Sequence, residues 1–225
     1  MNRKLFLFDI EGTTTDFNFV HKVLFPYSRE RMKDFVTLHE TELKATLEEV
    51  SRTMVSEGGS QPDLNAIIGQ LIKWINEDRK HKALKEIQGL IWDEGYKSGA
   101  FKGHVYPDVR PFFENLHSSG YQIGIYSSGS VKAQKLIMEN SSAGDLTGFI
   151  KYYFDTQVGG KREKVSYQNI AIRTQLTPPE IHFFSDIPEE LKAAQLAGFR
   201  VTQVLREGTA SSEFPGIHQF AEFRF

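Results

Sequence analysis

Apolar residues follow two different rhythms along this chain, and the change of rhythm divides it. Leu5-Phe6-Leu7-Phe8 is apolar at every position. A short strand buried on both faces of a parallel sheet has that pattern, and Asp9 stands at its carboxyl end. A second run, Ile123-Gly124-Ile125-Tyr126, follows a helix-like stretch at 107–119 and stops at Ser127-Ser128-Gly129. A third, Ile181-His182-Phe183-Phe184-Ser185, ends at Asp186; a helix-like segment at 189–197 then leads to a strand at 200–205. Strands alternating with helices from about residue 105 onward predict an α/β fold with a parallel sheet. Ligands in such sheets sit outside the carboxyl ends of the strands, so the three polar strand ends are expected to line one crevice.

Residues 17–100 keep the other rhythm. Leu43, Leu47, Val50 and Met54, then Leu64, Ile67, Ile68, Leu71, Ile72 and Ile75, recur at helical spacing. Gly58, Gly59 and Pro62 punctuate the pattern and separate two helices. The expected organisation is a core domain of 1–16 and 101–225 carrying a helical insert of 17–100, with Trp74 and Trp92 packing inside the insert. The sequence has no internal repeat and no low-complexity tract.

Composition narrows the function. The 225 residues are 40% hydrophobic and 25% charged, enough for one buried core and a smaller second domain. A formal net charge of -2 and a pI near 6.4 offer no basic face for nucleic acid or an anionic membrane, so neither is expected as a partner. Cysteine is absent, which excludes disulfides, thiolate catalysis and zinc-thiolate sites. The apolar run before Asp9 is too short for a signal peptide or a membrane span, and a cytoplasmic location is expected.

The chemistry-bearing residues cluster at the predicted strand ends. Asp9 and Glu11 put two carboxylates two residues apart directly after a buried strand; one could attack phosphorus while the other moves the leaving group's proton. Taken alone, the pair also fits a polar strand-to-loop turn. Ser127 and Ser128 could offer hydroxyl and backbone N–H groups to phosphate oxygens ahead of a helix starting near Ser130, or Ser127-Ser128-Gly129-Ser130 could simply cap that helix. Lys161, after Gly159-Gly160, could hold phosphate and nucleophile together or lie solvated. Asp186 suits a hard cation, with Glu190 four residues on to orient it; the alternative makes Asp186 a helix N-cap and Glu190 a solvated first-turn residue.

An acidic pair after one strand, Ser after the next, a later Lys, and then Asp after another strand, in that order, resembles the haloacid dehalogenase superfamily of phosphatases. The likeness tightens locally. Asp9-Ile10-Glu11-Gly12-Thr13-Thr14-Thr15, Phe19-Val20, Leu24-Phe25-Pro26-Tyr27, Tyr126-Ser127-Ser128-Gly129-Ser130-Val131, Ala133-Gln134-Lys135-Leu136 and Phe154-Asp155-Thr156 are similar to the enolase-phosphatase family, also called acireductone synthase. The resemblance spans the core and is weakest at about 37–80. One departure from the wider superfamily is shared with this family: Glu11 stands where Asp is usual.

The resemblance implies a haloacid dehalogenase-like Rossmannoid parallel-sheet core with an inserted helical cap. It implies enolisation and then dephosphorylation of 2,3-diketo-5-methylthiopentyl-1-phosphate to the acireductone, in methionine salvage. Asp9 would be the nucleophile, Glu11 the acid/base, and Ser127, Ser128 and Lys161 the phosphate cradle. Mg2+ would be held by the Asp9 and Asp186 carboxylates and the Glu11 backbone carbonyl. A monomer acting on a small phosphorylated metabolite is the expected form. His21, His104 and His182 are further candidates as helpers in enolisation. The rivals are a capped phosphatase for a phosphosugar or phosphoglycolate and, from another class, a module that only accepts phosphate on Asp9.

Overall fold

The computed structural model describes residues 4–224, so Phe225, expected with Phe220 and Phe223 to close the fold, lies outside the described residues. The chain forms two compact units, one of 1–19 and 102–225, the other of Val20–Phe101. Residues 17–19 thus fall in the first unit. No helix among the described residues is long and apolar enough to cross a membrane.

The first unit is built on β1 (Leu5–Phe8), β2 (Gln122–Tyr126), β3 (Ile150–Phe154), β4 (Ile181–Ser185), β5 (Arg200–Val204) and β6 (Gly216–Ile217). All pairs are parallel, in the order β3-β2-β1-β4-β5-β6. β1 is central and buried along its whole length, which is why it reads as unbroken apolar sequence. The order reverses at β1, where Phe8 pairs with Ile125 of β2 and Phe184 of β4. That reversal opens a crevice at the carboxyl ends of the central strands.

The two faces of the sheet are packed differently. One carries a mixed cluster of Leu5, Leu7, Tyr126, Tyr167, Phe183 and Leu191 with their neighbours. On the other, Phe8 stacks on Phe184 at 4.9 Å and lies 5.1 Å from Phe113, while Phe112 stacks on Phe220 at 4.9 Å. Phe223 adds its edge to Phe6, Phe184 and His182. This aromatic layer accounts for much of the phenylalanine content as core. The helices of this unit are α1 (Phe17–Phe19), α6 (Val109–Ser118), α7 (Val131–Glu139), α8 (Lys164–Thr174) and α9 (Pro188–Leu196).

The second unit begins with a π-helical turn, Val20–Leu24, and continues as α2 (Phe25–Leu38), α3 (Lys44–Ser56), α4 (Leu64–Asn76) and α5 (Lys82–Lys97). Apolar stripes from the four helices merge into one core that includes Met32, Leu47, Val50, Leu71, Trp74 and Ile87. Asp63 starts α4 by accepting the Ala66 N–H at 2.8 Å, the usual side-chain cap for an orphan helix donor. Trp92 donates its indole N–H to the Leu24 carbonyl at 2.8 Å, giving a partner to a carbonyl at the end of the π-helical turn.

Candidate active site

The turn after β1 shapes the site. The Asp9 N–H continues the strand ladder to the Phe184 carbonyl at 3.0 Å, after which the Ile10 carbonyl accepts the N–H groups of Thr13, Thr14 and Thr15 at 3.2, 2.9 and 2.8 Å. The Gly12 N–H donates to the Thr15 carbonyl at 2.8 Å, closing the loop that carries a partly exposed Glu11. Gly12 has φ +73, and a Cβ there would lie 2.3 Å from Asp186 Oδ2. Only glycine meets both demands without strain.

Asp9 is 4% exposed, and the Lys161 ammonium, whose side chain is 9% exposed, reaches its Oδ1 at 2.6 Å. The same ammonium lies 2.7 Å from Glu190 Oε2. Ser185 donates its hydroxyl to that oxygen at 3.0 Å and accepts the Ile187 N–H at 3.1 Å. Glu190 therefore orients Lys161, and not Asp186 as the four-residue spacing suggests. Ile187, without a side-chain cap, starts α9, so Asp186 is no N-cap. Glu190 is buried and far from a solvated first-turn residue.

Lys161 is delivered by a tightly bonded loop. Tyr126 donates its hydroxyl to the Gly159 carbonyl at 2.9 Å, Ser166 to the Gly160 carbonyl at 2.7 Å, and Tyr167 to the Lys161 carbonyl at 2.6 Å. Gly159 sits at φ +126, with room for no Cβ: one would fall 2.2 Å from Ser166 Oγ. These bonds offset part of the entropy of holding a long side chain in one rotamer. Nothing in the sequence assigns Tyr126, Ser166 or Tyr167 this part in holding the Lys161 loop. Tyr126 reads as the last residue of an apolar strand, and Ser166 and Tyr167 lie in the polar stretch at 161–169, where no apolar rhythm marks them.

Asp186 follows β4. Its N–H donates to Thr13 Oγ1 at 3.0 Å, and the Thr13 hydroxyl is 3.4 Å from its Oδ1. Ser127 and Ser128 follow β2 on the other side of β1. Ser127 is buried, and its Oγ accepts the Gly129 N–H at 3.3 Å, which leaves the hydroxyl proton available to a ligand. Ser130 caps α7 by accepting the Ala133 N–H at 3.2 Å, so Ser127 and Ser128 are not spent on capping.

The electrostatics are those of an anion-rich pocket. Burial pushes Asp9 well above the usual carboxylate range; Lys161 pulls it back, while Glu190 and Asp186 push it further. Burial also lifts Asp186, to about 6, against the pull of its own N–H, Lys161 and the Thr13 hydroxyl. Burial disfavours the Lys161 ammonium, yet Asp9 and Glu190 outweigh that effect and its pKa is raised. One cation thus serves the three carboxylates of Asp9, Glu190 and Asp186. That deficit of positive charge, with hard oxygen donors, fits a divalent cation. Among the described residues no three His, Asp or Glu side chains converge as a metal cage. The fit is therefore to an ion held by two carboxylates plus backbone and solvent oxygens, as Mg2+ usually is.

The three candidate histidines have partners of their own among the described residues. His182 is stacked on Phe184 at 4.6 Å, its Nε2 2.8 Å from Thr202 Oγ1, and burial lowers its pKa to about 3. Its neutral form is favoured, and it packs half-buried within the aromatic layer. His104 accepts the Asp16 N–H at Nδ1, 2.9 Å away, a structural role for the lone pair a base would need. His21 packs its ring edge-on to Phe25 at 5.2 Å in the helical unit.

A family model described as haloacid dehalogenase-like hydrolase matches residues 3–198. The chain is 48% identical over 218 residues to the enolase-phosphatase E1 of Picosynechococcus sp., covering 96% of this chain and 95% of that protein. It is 45% identical over 205 residues to the enolase-phosphatase E1 of Marinobacter nauticus, covering 91% and 89%. Among solved structures, the UTR4 protein of Saccharomyces cerevisiae superposes with a TM-score of 0.82 at 30% identity, over 99% of this chain and 100% of that one.

Proposed function

The chain belongs to the haloacid dehalogenase-like hydrolases and, within them, to the enolase-phosphatase E1 family; on that premise we propose that Asp9 is the nucleophile of a two-step phosphatase site. The observation that carries this reading is the buried Lys161 ammonium bridging Asp9 and Glu190 at 2.6 and 2.7 Å, where the strand order reverses. It holds a carboxylate at a fixed point beside a cation suited to a phosphoryl group.

The substrate is 2,3-diketo-5-methylthiopentyl-1-phosphate of methionine salvage, and the product is the acireductone 1,2-dihydroxy-3-keto-5-methylthiopentene. The Glu11 carboxylate first takes a proton from the carbon bearing the phosphate ester, which is acidified by the adjacent carbonyl, to give an enolate whose oxygen takes a proton from solvent to become the enol. An Asp9 oxygen then bonds to phosphorus as the ester P–O bond breaks, and Glu11 returns a proton to the departing enol oxygen. Glu11 next deprotonates a water, which attacks phosphorus and frees phosphate from Asp9. Lys161, the Ser127 hydroxyl and the Ser128 backbone hold the phosphate oxygens throughout.

Mg2+, held by the Asp9 and Asp186 carboxylates and the Glu11 carbonyl, would supply charge neutralisation that lets an anionic nucleophile meet an anionic phosphate. We assign the helical unit of Val20–Phe101 the part of a cap, selecting the methylthio end of the substrate.

The test is to incubate the protein with Mg2+ and the diketo-phosphate, following enol absorbance and released phosphate together, with Asp9→Asn as control. Both signals, with phosphate release lost in the control, are the expected result. Phosphate release from a phosphosugar or phosphoglycolate and not from the diketo-phosphate would keep the mechanism and overturn the substrate. A stable phospho-protein without turnover would make the chain a phosphate-accepting module.

A further inference from the structure

Asp186 is held by Thr13, and Thr13 is itself held by a residue that the mechanism above does not use. The Thr13 carbonyl accepts the Arg206 Nε–H at 3.1 Å, across 193 positions of sequence. Thr13 is fully buried and its hydroxyl accepts the Asp186 N–H at 3.0 Å. Arg206, just beyond β5, therefore connects through one residue to the carboxylate read above as a cation ligand.

Arg206 is only 9% exposed. Its Nη1 donates to Asp108 Oδ2 at 3.0 Å and to the His218 carbonyl at 3.1 Å. Its guanidinium carbon lies 4.1 Å from the centre of the Tyr106 ring and 5.1 Å from that of Phe220. Asp108 Oδ2 also accepts the Phe220 N–H at 2.7 Å, so Arg206 has little freedom to turn.

A buried pair of this kind is a poor stabiliser, since desolvation commonly matches or exceeds the attraction between the charges. Here Arg206 Nη2 and Asp108 Oδ1 are buried with no hydrogen-bond partner among the described residues. As packing alone, an apolar side chain would serve as well. What an apolar side chain lacks is a rigid N–H aimed at the Thr13 carbonyl, and the planar guanidinium supplies it in a fixed direction.

We propose that Arg206, locked by Asp108, is a positioning residue of the phosphoryl-transfer site: it fixes Thr13, and through Thr13 the Asp186 carboxylate. The inference rests on the reading of Asp186 as a Mg2+ ligand. Groups that orient a metal's ligands typically govern affinity or activity about 10- to 100-fold when removed.

The test measures Mg2+ affinity of the substrate-free protein by titration calorimetry, alongside kcat, in Arg206→Lys, Thr13→Val, their double variant and Asp186→Asn. Arg206→Lys keeps a cation against Asp108 but loses the Nε donor, and so tests positioning without leaving a buried carboxylate unpaired. Thr13→Val keeps the volume and leaves the Arg206–Asp108 pair in place. Each single variant is expected to weaken Mg2+ binding and lower kcat by about tenfold or more. The double variant should be no worse than the more severe single, as for two links of one chain. A purely structural Arg206 would change thermal stability and leave Mg2+ affinity within about twofold at temperatures where the variant is folded. That result, with Asp186→Asn still abolishing Mg2+ binding, would overturn the role of Arg206 alone. Normal Mg2+ binding by Asp186→Asn would overturn the reading of Asp186 and the inference with it.

Discussion

The Lys161 ammonium is bonded to Glu190 at 2.7 Å as closely as to Asp9, so the position of the cation at Asp9, the proposed nucleophile, is shared with a second carboxylate. Glu190→Gln keeps the shape and an acceptor for Lys161 and Ser185 but removes the charge. Losing one charge-assisted bond is worth about 1–2 kcal/mol. Steady-state kinetics should show kcat lowered about tenfold in a folded protein. An unchanged kcat would mean that Asp9 alone positions Lys161.

Gly12→Ala should be damaging twice over. A left-handed φ of +73 costs an L-residue about 1–2 kcal/mol, and the new methyl would have to push Asp186 aside. In a chain of this size that strain corresponds to a melting temperature lower by roughly 2–8 °C. Calorimetry with and without Mg2+ should also show less stabilisation by the ion than in the parent protein.

Tyr167→Phe removes the 2.6 Å bond to the part-buried Lys161 carbonyl. Urea denaturation should give a loss of about 1–3 kcal/mol. Because the loop then holds Lys161 less firmly, kcat/KM should fall as well. A change in stability with kcat/KM intact would show that the other two loop bonds suffice.

His182 sets a pH dependence of stability. Its pKa falls from the ordinary histidine range to about 3 on folding, so between those values the unfolded chain binds a proton that the native protein does not. Stability from this residue is complete above about pH 6.5 and is lost as pH falls toward 3. His182→Gln, which keeps a polar partner for Thr202, should flatten the stability–pH curve in that window by about one proton per molecule, as measured by denaturation at a series of pH values.

Much of the core was legible because β1, β2 and β4 are short apolar runs ending in Asp9, Ser127 and Asp186, and burial on both faces forces such composition. β3 was not read as a strand: it lies at the sheet edge, its centre is partly exposed, and Lys151 and Tyr152 interrupt the apolar pattern. β6, with two residues, is too short to leave a rhythm. In the site, residue types at strand ends pointed to Asp9, Glu11 and Asp186, and the Gly159-Gly160 turn to Lys161. Spacing misdirected the role of Glu190, because the loop of Lys161 enters from another part of the chain. Arg206 and Thr13 were invisible for the same reason: their bond spans 193 positions and uses a backbone carbonyl, which carries no sequence signature.

Both tryptophans of the chain, Trp74 and Trp92, lie in the unit of Val20–Phe101, while the sheet unit has none. Indole emission excited selectively in the near ultraviolet is therefore a private signal of the helical bundle. Backbone circular dichroism reports both units, and tyrosine and phenylalanine absorption is dominated by the sheet layer. Recorded on one sample through a denaturation, these signals would separate if the two units melt independently and coincide if they melt as one. The protein thus carries a built-in optical label for one of its halves, without any added dye or substituted residue.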